Sequence, residues 1–184
     1  MKKLLVISAF ALMFPSFAST QVLIVGSKIG NECYQAALIS HRYAPRDERV
    51  CTDAIKSDTI SRRDLAATHV NRGIIRMRKA QYEAAIEDYD EAARLRPKLG
   101  AIYLNKGAAL ISAGRVTQAI ETLLHSIELK TNDVHAAHYN LGLAYEANGD
   151  VPEAYYAFQK ALELKPDWEL PAQQLERFTV VSNG

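Results

Sequence analysis

His135 and His138 stand three residues apart with Asp133 close by, the most metal-like spacing in the chain. Two imidazoles so placed can reach one ion. The pattern reads better as packing, with His138 on an interior helix position and His135 at a solvated helix start. Cys33 and Cys51 are the two cysteines of the full sequence. A thiolate can be a nucleophile, but no histidine can be assigned to activate either one. "GSKIG", Gly26 to Gly30, resembles part of a phosphate-binding loop without the rest of the motif. G-x-S-x-G and H-E-x-x-H are absent from the sequence. The chain is therefore read as a non-enzyme, with no catalytic residue, no cofactor and no metal expected.

The elements that carry these residues begin after an unusual start. "MKKLLVISAFALMFPSFA" has a basic end, an apolar run of 14 − 4 + 1 = 11 residues, and small residues at Ser16 and Ala18. That is the composition of a secretory leader cut after Ala18. The run is well short of the roughly 20 residues that span a bilayer. No later stretch is long and apolar enough to span one. A periplasmic or secreted location is expected. Loss of Lys2 and Lys3 leaves 22 − 2 = 20 basic residues against 21 acidic, a net charge of −1. So balanced a chain is not expected to bind nucleic acid or an anionic membrane. In an oxidising compartment Cys33 and Cys51 are expected to form a disulfide.

Asn71-Arg72-Gly73, Asn105-Lys106-Gly107 and Asn140-Leu141-Gly142 recur at steps of 107 − 73 = 34 and 142 − 107 = 35. Each glycine lies in a stretch with helical spacing, where it costs roughly 1 kcal/mol relative to alanine. A cost repeated at fixed spacing implies a repeated geometric need. With glycine as position 8 of a 34-residue unit, position 20 is Ala85, Ala119 and Ala154, and position 24 is Tyr89, Leu123 and Phe158. Position 32 is Pro97, Thr131 and Pro166. Gly114 and Gly149 suit the left-handed residue that ends a helix. Each unit reads as two antiparallel helices. The glycine and position 20 are placed at similar heights on them, so that the backbones approach closely, and position 24 fills the space beside them.

This pattern resembles the tetratricopeptide repeat family, most clearly at Leu141-Gly142, Tyr145, Ala154, Phe158 and Pro166. The resemblance implies an all-α fold, a right-handed α-solenoid of antiparallel helix pairs. Units are assigned to 66–99, 100–133 and 135–168. They follow a leader at 1–18, an extended or weakly ordered arm at 19–30 and a degenerate hairpin at 31–60, with Asn31 capping its first helix. A capping helix and tail at 169–184 closes the array, as solenoid ends require. The departures are local: position 4, aromatic in the family, is His69, Tyr103 and His138, position 11, usually aromatic, is Arg76 and Leu110 in the first two units, and Thr131 replaces a proline.

In that family the first helices line a concave groove for peptides or partner proteins. The resemblance puts Ala67, Val70, Asn71, Ile74, Met77 and Arg78 there from the first unit. Ala101, Leu104, Asn105, Ala108, Ile111 and Ser112 follow from the second. Ala136, Tyr139, Asn140, Leu143, Glu146 and Ala147 complete it. Some members clamp a terminal carboxylate with lysines and arginines. At the matching positions stand Val70, Ile74, Asn105, Ala136 and Asn140, and only Asn105 fits, so no clamp is expected. The three asparagines either contact a ligand or satisfy local backbone groups. Arg72, Arg76, Arg78 and Lys79 either pair with acidic residues of the second helix or form a basic patch. The expected function is an interaction module for a protein or peptide partner. The alternative is a self-associating structural protein, such as a homo-oligomer, whose groove is filled by its own arm or by another copy.

Overall fold

The computed structural model describes residues 4–8, 28–39 and 45–182. Among them lie nine helices and two short strands. The N-terminal hairpin is α1 (Lys28–Ile39) and α2 (Pro45–Ile55). Three further hairpins follow: α3 (Arg62–Arg78) with α4 (Tyr82–Leu95), α5 (Gly100–Ser112) with α6 (Val116–Glu128), and α7 (Val134–Asn148) with α8 (Val151–Leu164). The short helix α9 (Glu169–Leu175) packs on α8. Each second helix packs against the next first helix, and the first helices α3, α5 and α7 also touch in sequence. The result is the expected all-α solenoid.

The glycines explain how each hairpin closes. A Cβ on Gly73 would stand 2.6 Å from the Tyr89 ring, one on Gly107 2.5 Å from Leu123, and one on Gly142 2.6 Å from the Phe158 ring. The position-24 side chain thus lies directly over the glycine. That side chain fills the space beside the glycine, as the repeat pattern predicts. Tyr89, Leu123 and Phe158 are themselves fully buried. Burying such a side chain contributes about 1.5–3 kcal/mol, more than the propensity cost of the glycine.

The hairpin turns repeat as well. Gly114 and Gly149 hold φ of 74° and 86°, the left-handed region. The matching residue of the first hairpin is Ala80, at φ 56°. A side chain there is strained by roughly 1–2 kcal/mol.

At the N-terminal end Cys33 and Cys51 are joined, with Cα atoms 4.7 Å apart. The bridge is buried beside Ala37 and Ile75, so it ties α1 to α2 where the apolar core is thin. The helix α1 starts at Lys28, ahead of the expected cap Asn31, which lies inside it. The arm assigned to 19–30 therefore ends in helix, and its apolar run Val22 to Val25 lies outside the described residues. At the other end two strands pair antiparallel, β1 (Leu4–Ser8) and β2 (Phe178–Ser182), with Leu4 opposite Ser182 and Ser8 opposite Phe178. This ladder was not expected. Both segments are rich in apolar and β-branched residues, which favour strands, and β1 also packs on α8.

Two substitutions test these geometries. Gly107→Leu should cost about 1–3 kcal/mol by overpacking against Leu123 and lower the thermal midpoint measured by circular dichroism. An unchanged midpoint contradicts the packing described. Ala80→Gly should raise stability in urea by about 1 kcal/mol, the left-handed strain relieved less the entropy glycine adds to the unfolded chain. A loss of stability contradicts it.

Candidate binding groove

The first-helix positions divide into two groups. Val70, Ile74 and Leu104 are fully or almost fully buried and belong to the continuous core that joins the hairpins. Met77 and Ile111 are partly buried against that core. Tyr139 and Leu143 sit in a second cluster with Phe158 and Phe178. A charge at Leu104 would therefore break the core before it altered a surface. Asn71, Asn105, Ala108 and Asn140 form the polar and small-residue floor between these anchors, all at 6% exposure or less. Arg78 closes the N-terminal end, where its guanidinium donates to the Ala37 carbonyl. Arg177, in the turn after α9, pairs with Glu146 at the far end.

Two of the three asparagines lack the local contacts that one sequence reading gives them. Both side-chain atoms of Asn71 and of Asn140 are buried and have no hydrogen-bond partner. They do not satisfy local backbone groups. An unpaired buried polar group costs about 1–3 kcal/mol. Each amide offers two donors and an acceptor.

Sequence models described as tetratricopeptide repeat match residues 70–133 and 135–167. The chain belongs to the tetratricopeptide repeat family. It is 33% identical over 89 residues to the Hsp70-Hsp90 organizing protein of Triticum aestivum, covering 48% of this chain and 15% of that protein. It is 32% identical over 87 residues to BBSome complex member BBS4 of Xenopus tropicalis, covering 47% and 16%. The chain thus spans less than a fifth of the length of either. Among solved structures, MamA from Desulfovibrio magneticus RS-1 superposes with a TM-score of 0.65 at 21% identity, covering 81% of this chain and 82% of that one. The Arabidopsis OM64 tetratricopeptide domain superposes at 0.60 and 21% identity, covering 64% and 96%. At such identity these structures show a shared fold.

Arg72, Arg76, Arg78 and Lys79 of this tetratricopeptide array are all engaged. Asp88 on α4, 2% exposed, accepts from Arg72 at 2.7 Å and His69 Nδ1 at 3.0 Å and forms an ion pair with Arg76 at 3.0 Å. Arg76 and Lys79 reach Glu48 on α2 at 3.0 and 2.8 Å, and Arg72 also donates to Thr52. The pairing within the unit is the first of the two sequence readings, but it is buried and extends into the N-terminal hairpin. Asp88 gave one sequence signal: a carboxylate beside Tyr89 on the apolar side of its helix. Burial disfavours the Asp88 carboxylate, yet hydrogen bonds from His69 and Arg72 and the charges of Arg72 and Arg76 hold its pKa below the ordinary value.

His135 packs edge-on against Trp168, with ring centroids 5.2 Å apart. Burial, with Lys165 nearby, lowers its pKa; burial, with Lys160 nearby, lowers that of His138. No group of three or more metal-ligating side chains occurs among the described residues.

A carboxyl whose folded pKa is depressed contributes stability above its unfolded pKa, near 3.9 for aspartate, and loses it as pH falls through the folded value. Asp88→Asn removes that contribution and leaves Arg72 and Arg76 without their shared counter-ion, a loss of about 3–5 kcal/mol. Urea unfolding at neutral pH should show this loss. The variant's stability should then fall less than that of the parent chain as pH drops below about 4. A variant equal to the parent at neutral pH contradicts the buried pairing.

Proposed function

We propose that this chain is a non-catalytic scaffold that acts in the periplasm, after removal of its leader at Ala18, and holds an extended segment of a protein partner along the first-helix groove. The observation that carries the reading is the pair of buried, unpartnered amides of Asn71 and Asn140 in an apolar floor. A peptide main chain supplies the alternating donors and acceptors that such amides lack. Apolar partner side chains would pack against Met77, Ala108, Ile111 and Leu143. The absence of lysine and arginine at the clamp positions favours an internal segment over a terminal carboxylate. Two relatives have names that refer to organising or joining other proteins, which fits a scaffold.

The test separates binding from folding. Chain purified from periplasm should begin at Ser19 by mass. A random peptide library should yield extended apolar binders whose affinity is the same with free and amidated C-termini. Asn71→Leu with Asn140→Leu keeps the branched shape and removes the amides. Stability should hold or rise, because each unpaired group costs about 1–3 kcal/mol, while binding weakens about tenfold, or ~1.4 kcal/mol. Undiminished binding by the double variant overturns the groove reading, and a chain retained in the cytoplasm with Met1 overturns the location.

A further inference from the structure

Cleavage after Ala18, as proposed above, removes β1 with the leader. Among the described residues β1 is the strand that pairs with β2, and it also packs on α8. The seat that β1 fills is therefore open in the processed chain. The remaining strand has anchors of its own. Phe178, buried at the start of β2, sets its ring 6.0 Å from that of Phe158 and 5.7 Å from that of Tyr155, both on α8. Arg177, one residue earlier, pairs with Glu146 on α7. These contacts hold the start of β2 on the array without help from β1.

The edge so exposed is unprotected. Natural sheets blunt an open edge with charged residues or proline. "FTVVS", Phe178 to Ser182, has neither, and its β-branched residues favour an extended strand. Unpaired main-chain groups along such an edge take up another strand. β1 shows what fits there. "LLVIS" is uncharged and mostly apolar, and it runs antiparallel with Val6 opposite Val180. A second copy of β2 fits less well. The two-fold axis of an antiparallel pair would carry a copy of α8 from the β1 seat to the matching place beside β2. Strands lie about 4.8 Å apart, whereas packed helices need about 8–10 Å. The seat suits a strand that brings no helix with it.

We propose that the processed chain binds an extended, uncharged, apolar segment of a partner protein as a strand antiparallel to β2, in the seat that β1 leaves against α8. This rests on the cleavage proposed above and not on the asparagine groove, which is a separate surface. Main-chain hydrogen bonds to β2 supply the affinity, and packing on α8 supplies the preference for apolar residues.

Chain purified from periplasm, its N-terminus read by mass, is titrated with a labelled peptide of residues 2–8, "KKLLVIS", and binding is followed by fluorescence anisotropy. The processed chain should bind the peptide about tenfold or more tighter than the full 184-residue chain made cell-free under oxidising conditions, whose tethered β1 competes for the seat. A peptide carrying Leu5→Asp and Ile7→Asp should bind about tenfold more weakly, because charge is costly to bury. Alternate residues of an antiparallel strand turn their main-chain groups to the partner, so one of Thr179→Pro and Val180→Pro removes a ladder N–H. That variant should lose the peptide by about tenfold and keep its affinity for library-selected groove peptides. A processed chain that binds no better than the full one overturns the proposal, as do two proline variants that bind like the parent. Groove peptides still bound in either case leave the groove reading standing. A concentration-dependent dimer in light scattering, dissolved by the same proline variant, puts a second copy on the edge and also overturns it. A periplasmic chain that keeps Met1 overturns the cleavage, and the proposal with it.

Discussion

The contact between a first-helix glycine and a fully buried position-24 side chain sets the geometry of every hairpin in the array. Tyr89, Leu123 and Phe158 each occupy the space that a Cβ on Gly73, Gly107 or Gly142 would need. Because the contact repeats at nearly constant spacing, the hairpins stack with α3, α5 and α7 side by side. That row is what brings Asn71, Asn105 and Asn140 into one line. A groove of asparagines therefore follows from a packing rule that contains no asparagine.

The ends of the array are held by different physics. At the N-terminal hairpin the apolar core is thin, and a disulfide joined to a buried ion network replaces it. Closing a loop of that length contributes about 3 kcal/mol in the chain-entropy model. The Asp88 network spans α2, α3 and α4, so the degenerate hairpin is locked to the first repeat by Glu48 and Thr52. At the C-terminal end aromatic packing takes over, with Phe178 close to Phe158 and Tyr155. The unpaired amides of Asn71 and Asn140 run against this economy of satisfied groups. An apolar residue at either position would be more stable, so the asparagines are costs that binding explains on the proposed reading.

Much of this was legible in the residues. The spacing of Gly73, Gly107 and Gly142 marks the repeat, and Gly114 and Gly149 mark the turns. Helical period and proline placed the hairpins closely. Ala80 shows where residue type alone falls short: its left-handed backbone is dictated by the two hairpin turns that match it, although alanine disfavours it. Leu104 shows another limit. Its position faces inward, but only the packing of the next hairpin decides that it is core rather than surface. Asp88 looked like one of several acidic residues on α4, and its burial depends on His69, Arg72 and Arg76 converging from the facing helix. The pairing of Leu4–Ser8 with Phe178–Ser182 joins segments at opposite ends of the sequence. No local pattern specifies such a partner, and the leader composition of the first segment masked its strand propensity.

The central claim is that the line of asparagines is where a protein segment docks. The side-chain amide resonances of Asn71 and Asn140, followed in nitrogen-15 NMR spectra during titration with a bound peptide, test it most directly. The account predicts that both move with the same saturation curve while amides on the outer face of α6 stay in place. Unmoved asparagine resonances, with shifts confined to the outer helices, would contradict it.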